Sequence, residues 1–125
     1  MRLNHVTLAV SDLKRSVRFY RALGLQQIVA DEGYARFKSP QGNSTLSLES
    51  RSGGGAGGAS IHFECDDVDA VAAELRSKGF ELAQEPTDQP YLWREAVLHD
   101  PDGHPIFLYR AGENRLNPPW RLNRG

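Results

Sequence analysis

With 125 residues, 39% of them hydrophobic and 25% charged, the chain has an ordinary globular makeup and room for one domain or two very small modules. Fifteen basic residues against sixteen acidic ones leave a net charge of −1. That balance excludes the basic stripe of a nucleic-acid binder and the polybasic helix of a membrane-surface protein. No apolar run is long enough to cross a bilayer, and the opening MRLNHVTLAV alternates like a strand rather than a secretory leader. Cys65 stands alone, so no internal disulfide is possible and a reducing cytoplasm is the expected home. The neighbouring acids raise the pKa of such a thiol, which reads as a small apolar residue of a strand.

In chain order, Val6, Leu8 and Val10 alternate with polar residues, predicting a strand with its apolar side on one face. Ser11 is the expected N-cap of a helix whose Leu13, Val17 and Tyr20 share a face and which Gly24 ends. Strands follow at 25–30, 34–38 and 45–49, the last preceded by the turn SerProGlnGly at 39–42. Residues 51–59 are a glycine-rich linker with no core-forming side chain and no phosphate-loop signature.

The pattern then repeats. Residues 60–80 lie over residues 5–25 without a gap, SIHFECDDVDAVAAELRSKGF on HVTLAVSDLKRSVRFYRALGL. A strand carrying Ile61, Phe63 and Cys65 leads to a helix expected to be capped by Asp66, with Val68, Val71, Ala72 and Leu75 on one face and Gly79 at its end. Strands are predicted at 80–84, 94–99 and 105–110, the last again preceded by a turn, AspProAspGly at 100–103. The expected organisation is module one at 1–50, the linker, module two at 60–110 and a C-terminal arm at 111–125. The arm, with two prolines and three arginines, is expected to wrap the domain or a partner subunit, with Trp120 as its anchor.

Two βαβββ units, with HVTLAVSDL opening the first and HDPDGHPIFLY closing the second, resemble the vicinal-oxygen-chelate superfamily. This is the glyoxalase, bleomycin-resistance and extradiol-dioxygenase type, and the resemblance covers roughly residues 3–110. It implies an α+β fold in which tandem βαβββ modules form an open, eight-stranded, cup-shaped sheet with helices on the convex face. Members include metal-dependent enzymes and metal-free binding proteins, so the fold does not choose between them.

If the apolar strand positions pack under the helices, the intervening ones line the cup. These are His5, Thr7, Ala9, Thr45, Ser47 and Glu49 in the first module. In the second they are Ser60, His62, Glu64, Phe107 and Tyr109, joined on the 94–99 strand by Glu95, Val97 and His99. Trp93 and Arg94 are candidates for an aromatic-and-cation wall, while His104, in the last turn, is expected in solvent.

The family resemblance places metal ligands on the first and last strand of each module, positions held here by His5, Ser47, Ser60 and Phe107. Only His5 is a ligand type, so the standard site is expected to be largely lost. A shifted set of His5, Glu49 and His62 is the remaining metal candidate, with Glu49 and His62 about 6.6 Å beyond the usual positions.

The cofactor is thus none or a divalent metal, and the partner a small polar or aromatic molecule held by His5, Ser47, Glu49, Ser60, His62, Trp93, Phe107 and Tyr109. No nucleic acid or membrane partner is expected, and a homodimer is. The competing function is a metal-dependent lyase or isomerase, or an extradiol-type dioxygenase, using the shifted site.

Overall fold

A computed structural model describes residues 1–122 and contains eight strands, two α-helices and a short 3-10 helix. The chain divides into two compact units, Met1–Ala59 with Asp100–His104, and Ser60–His99 with Pro105–Gly125. The turn 100–104, which the sequence assigns to module two, therefore belongs with the first unit.

The first unit runs β1 (His5–Val10), α1 (Leu13–Leu23), β2 (Gln26–Asp31), β3 (Tyr34–Lys38) and β4 (Thr45–Ser50). Its sheet has the order β1-β4-β3-β2, with β1 parallel to β4 and the other pairs antiparallel. Leu8, Val10, Phe37, Leu46 and Leu48 are buried, as is Tyr20 of α1, so alternation along each strand gives the sheet one apolar, helix-covered face. The cap of α1 is Asp12, not Ser11. Its carboxylate accepts the backbone N–H of Arg15 at 3.1 Å, the usual reach from Ncap to N3, while Ser11 is turned to Asp102.

The second unit runs β5 (Ile61–Glu64), α2 (Val68–Ser77), β6 (Gln84–Asp88), β7 (Arg94–His99) and β8 (Pro105–Arg110). Its order, β5-β8-β7-β6, repeats that of the first unit, again with a parallel β5–β8 pair. Val68, Ala72 and Leu75 of α2 are buried, with Ala96, Leu98, Ile106 and Leu108 from the sheet. Asp67, rather than Asp66, caps α2 by accepting the Ala70 N–H at 3.0 Å. Strand β6 starts at Gln84, not at residue 80. It is a polar edge strand whose register breaks between Gln84 and Thr87, around Pro86, which cannot donate to a ladder.

Two corrections concern segments expected to be inert. Gly54, inside the linker, packs so closely on β1 that a Cβ there would lie 2.7 Å from the Val10 carbonyl carbon. His104 is buried, its Nε2 bonded at 3.0 Å to the Ala9 carbonyl oxygen. The turn carrying it is tied down by Asp100, whose Oδ1 accepts the N–H groups of Asp102 and His104 and whose Oδ2 accepts the Tyr20 hydroxyl at 2.7 Å. These bonds satisfy a buried carboxylate that would otherwise be costly. Burial and Asp100 push the Tyr20 phenol well up.

Candidate functional site

Each sheet has a second face, turned away from its helix, and the two faces differ in chemistry. On the first unit that face carries a continuous polar chain. Arg36 Nε donates to the Tyr34 hydroxyl at 2.9 Å, and Tyr34 and Ser47 share a 2.5 Å hydrogen bond. Ser47 Oγ lies 3.2 Å from His5 Nε2, and His5 Nδ1 lies 2.6 Å from Thr45 Oγ1. Thr7 adds a second hydroxyl 3.3 Å from His5 Nε2. Hydroxyls and imidazole can each give or take a proton along this chain, so its direction follows the tautomer of His5 and the ionisation of Tyr34. Register explains the assembly, since Arg36 is paired with Ser47, Ser47 with Thr7 and Thr45 with His5. The bond from Ser47 to the phenol oxygen, against burial and with help from the Arg36 bond, holds the Tyr34 pKa below its ordinary value.

On the second unit the corresponding face is a cluster of rings. His62 and Phe107, paired in register, stack with centroids 4.4 Å apart and planes within 5°. Trp93 stacks on Tyr109 at 4.6 Å, and His62 meets both Tyr109 and Trp93 edge to face at 5.7 and 6.2 Å. Tyr91 extends the cluster toward Trp93 at 6.1 Å and donates its hydroxyl to Glu95. Glu95 is only 4% exposed, and its bond raises the Tyr91 phenol to about 12. Burial among the rings lowers the His62 pKa, with Glu95 opposing, so the imidazole is neutral near pH 7. The face is thus aromatic, edged by the carboxylates of Glu95 and Glu64 beside Tyr109, and open at its His62 side.

The expected residues therefore fall into two groups. His5 and Ser47 meet in the first unit, and His62, Trp93, Phe107 and Tyr109 meet in the second. Ser60 immediately precedes β5 and is exposed. Glu49 does not join His5. Its register partner is Ala9, four positions beyond the His5–Thr45 pair, or about 13 Å along the strand, and its carboxylate bonds Arg51 at 2.6 Å. The shifted metal set of His5, Glu49 and His62 is accordingly not assembled. Among the described residues no three His, Cys, Asp or Glu side chains gather as metal ligands.

At the positions where the resemblance expects metal ligands, the side chains present are poor donors for a metal. Hydroxyls stand at two of them and the stacked ring of Phe107 at another. Arg94 likewise leaves the wall expected of it, forming a forked pair with Asp69 at 2.8 Å on each arm and a bond to Asp88. The Cys65 thiol has its pKa raised, mainly by burial.

Tyr34, Arg36 and Tyr91 are absent from the expected lining. Tyr34 and Arg36 alternate with the buried Ala35 and Phe37, so the period-2 rule applied to β1 and β4 finds them once it is extended to β3. Tyr91 lies in a loop, where no period exists. An open groove of about 770 Å³ lies elsewhere on the first unit, between the start of α1 and the β2–β3 hairpin. Of the polar chain it borders only Tyr34, and its rim of Asp12, Lys14, Arg18, Asp31 and Glu32 mixes both signs of charge.

Comparison with known proteins matches residues 2–108 to the family described as the Glyoxalase/Bleomycin resistance protein/Dioxygenase superfamily. The uncharacterized protein YraH of Bacillus subtilis is 30% identical over 129 residues, covering 88% of this chain and 98% of that one. The putative glyoxylase CFP32 of Mycobacterium bovis is 44% identical over 43 residues, 34% of this chain and only 16% of that protein. Among solved structures, the bleomycin resistance determinant encoded on the transposon Tn5 superposes with a TM-score of 0.75 at 22% identity, over 88% of this chain and 98% of that one.

Proposed function

The chain belongs to the glyoxalase/bleomycin resistance protein/dioxygenase superfamily, and we propose that within it this protein binds a small aromatic molecule without using a metal. The observation that carries the reading is the parallel stack of Phe107 on His62, at a strand position where metal-dependent members are expected to hold a carboxylate. Phe107 cannot bind a metal but offers a ring face, and Trp93 and Tyr109 supply a second stacked pair beside it. A ring-lined surface with a few polar groups is the usual character of a small-molecule site. The protein is proposed to act in the cytoplasm, as a homodimer. Metal-dependent lyase, isomerase or dioxygenase chemistry is not part of the proposal, because the register of β1 and β4 separates its candidate ligands.

The test uses Trp93 as its reporter. The only other tryptophan is Trp120, so a Trp120→Phe background isolates the signal. A panel of small phenols, indoles and aromatic acids is titrated against it, and at least one is expected to quench Trp93 fluorescence saturably. Losing both Phe107 and His62 as alanines should weaken that ligand by roughly tenfold, two stacking contacts being removed. A ligand whose affinity ignores both substitutions, or a panel with no binder, would overturn the reading.

A further inference from the structure

Arg36 is a half-buried cation with an unfinished set of partners. Its Nε is used on the Tyr34 hydroxyl, and its guanidinium carbon lies 5.5 Å from the centre of the Tyr34 ring. Those two contacts fix the plane of the group. Among the described residues no carboxylate lies within ion-pair distance of it, although the chain pairs Arg15, Arg51, Arg76 and Arg94 with acids.

Lys38 stands two residues on, on the same face, with a single long contact of 3.3 Å to the Ser39 carbonyl oxygen. The neighbouring strands set the hydroxyls of Ser47 and Thr45 beside these two cations, followed by Thr7 and the His5 imidazole. The acids of that face, Glu49 and Asp31, lie one row away beside Tyr34. The first is engaged by Arg51, and the second accepts the N–H of Glu32. One end of the face therefore offers two positive charges that, among the described residues, no carboxylate pairs.

We propose that Arg36, oriented by Tyr34 and flanked by Lys38, forms an oxyanion-binding site on the first unit for the carboxylate or phosphate group of a small metabolite. A planar guanidinium held by its Nε leaves the two Nη groups as a fork, the geometry that suits two oxygens of one anion. Ser47 and His5 stand behind Tyr34 as a hydrogen-bonded brace: each bond of the chain fixes the next, and the last fixes Arg36. Ser47 is fully buried, so its part is to position Tyr34, not to touch the anion. The inference goes beyond the ring cluster, shares no residue with it and can fail without it.

Isothermal titration of the intact chain with sodium phosphate and, separately, sodium acetate tests it, with chloride supplying equal ionic strength. At least one anion is expected to bind saturably above the chloride background. Arg36→Gln should weaken it by roughly tenfold or more, the loss expected when charge-assisted bonds to an anion are removed. Arg36→Lys, which keeps the charge without the fork, should fall between. Binding of phosphate alone, acetate alone or both assigns the class of anion.

Should Arg36→Gln fail to fold, NMR of the wild-type protein decides. The Arg36 Nε–H resonance, identified by its absence from the Arg36→Lys spectrum, is expected to shift on adding the anion and to ignore chloride. Neither anion binding beyond chloride, full affinity in a folded Arg36→Gln protein, or an Nε–H signal that ignores the anion would overturn the proposal.

Discussion

Tyr34 stands apart from the other three tyrosines because of what touches its oxygen. Tyr20 and Tyr109 are pushed up chiefly by burial, and Tyr91 rises to about 12 chiefly through its bond to Glu95. Tyr34 instead receives hydrogen bonds that favour its ionised form, from Ser47 first and from Arg36 as well. In an alkaline titration followed by phenolate absorbance, one tyrosine should therefore ionise before all others, below the ordinary value of about 10. Tyr34→Phe should remove that first step, and Arg36→Gln should move it up. Between the depressed value and 10 the unfolded chain keeps a proton that the folded Tyr34 has released, so its contribution to stability rises with pH across that window. Above 10 the three raised tyrosines act in the opposite sense, and stability falls. A first ionisation step that survives in Tyr34→Phe would show that the hydrogen bonds of Ser47 and Arg36 do not act as described.

Elements are held here by contacts of two kinds, periodic and particular, and only the first kind is legible in a sequence. Strands β3, β7 and β8 fall where alternation puts them, because Phe37, Ala96, Leu98, Ile106 and Leu108 each bury one side of a strand. Strand β6 carries no such signal, being polar, at an edge and broken around Pro86, so its start is displaced from the one its flanking residues suggest. The two caps are each one residue later than expected, since serine or aspartate at either position would serve and only the local backbone chooses. The site divides the same way. His5, Ser47, His62, Phe107 and Tyr109 are found by counting along strands. Burial of His104 and the engagement of Arg94 by Asp69 depend on contacts distant in sequence.

Gly54 shows the particular kind most clearly. The run RSGGGAGGAS looks uniform, yet only at Gly54 would an added Cβ fall within 3 Å of another atom. Those atoms are backbone of Val10 and Arg51, which cannot rotate aside. Gly54→Ala is therefore expected to destabilise the protein by about 1–3 kcal/mol, the range for overpacking a tight contact. Gly57→Ala, in open space, should be close to neutral. Thermal or urea unfolding of the two variants compares them directly, and equal midpoints would mean that the linker yields at Val10.

At the scale of the whole molecule, the internal repeat carries the fold while the two sheet faces depart from each other. Thr7 and Ser47 are register partners in the first unit, as His62 and Phe107 are in the second, so equivalent pairs hold hydroxyls in one copy and stacked rings in the other. Repetition thus predicts where side chains point and is silent on what they bind. The segment after β8 has no counterpart in the first unit. It forms a 3-10 helix at Gly112–Arg115 and continues past Pro118 and Pro119, with the last three residues of the expected arm outside the described ones.

Along that segment Leu116 is 61% exposed and Trp120 is 58% exposed. Large apolar groups standing alone on a surface are common, but a tryptophan and a leucine four residues apart on one short segment offer the kind of anchor that a second subunit covers. Burial against a partner is favourable at roughly 25 cal/mol per Å² of apolar surface removed from water. Sedimentation equilibrium at micromolar concentration is expected to give a dimer, of about twice the 13.9 kDa of one chain. Trp120→Ala should weaken association by at least tenfold, in the range for losing an aromatic anchor, while leaving the fold unchanged by circular dichroism. A single species near the mass of one chain at every concentration would rule the dimer out. A dimer indifferent to Trp120→Ala would place its interface elsewhere on the surface.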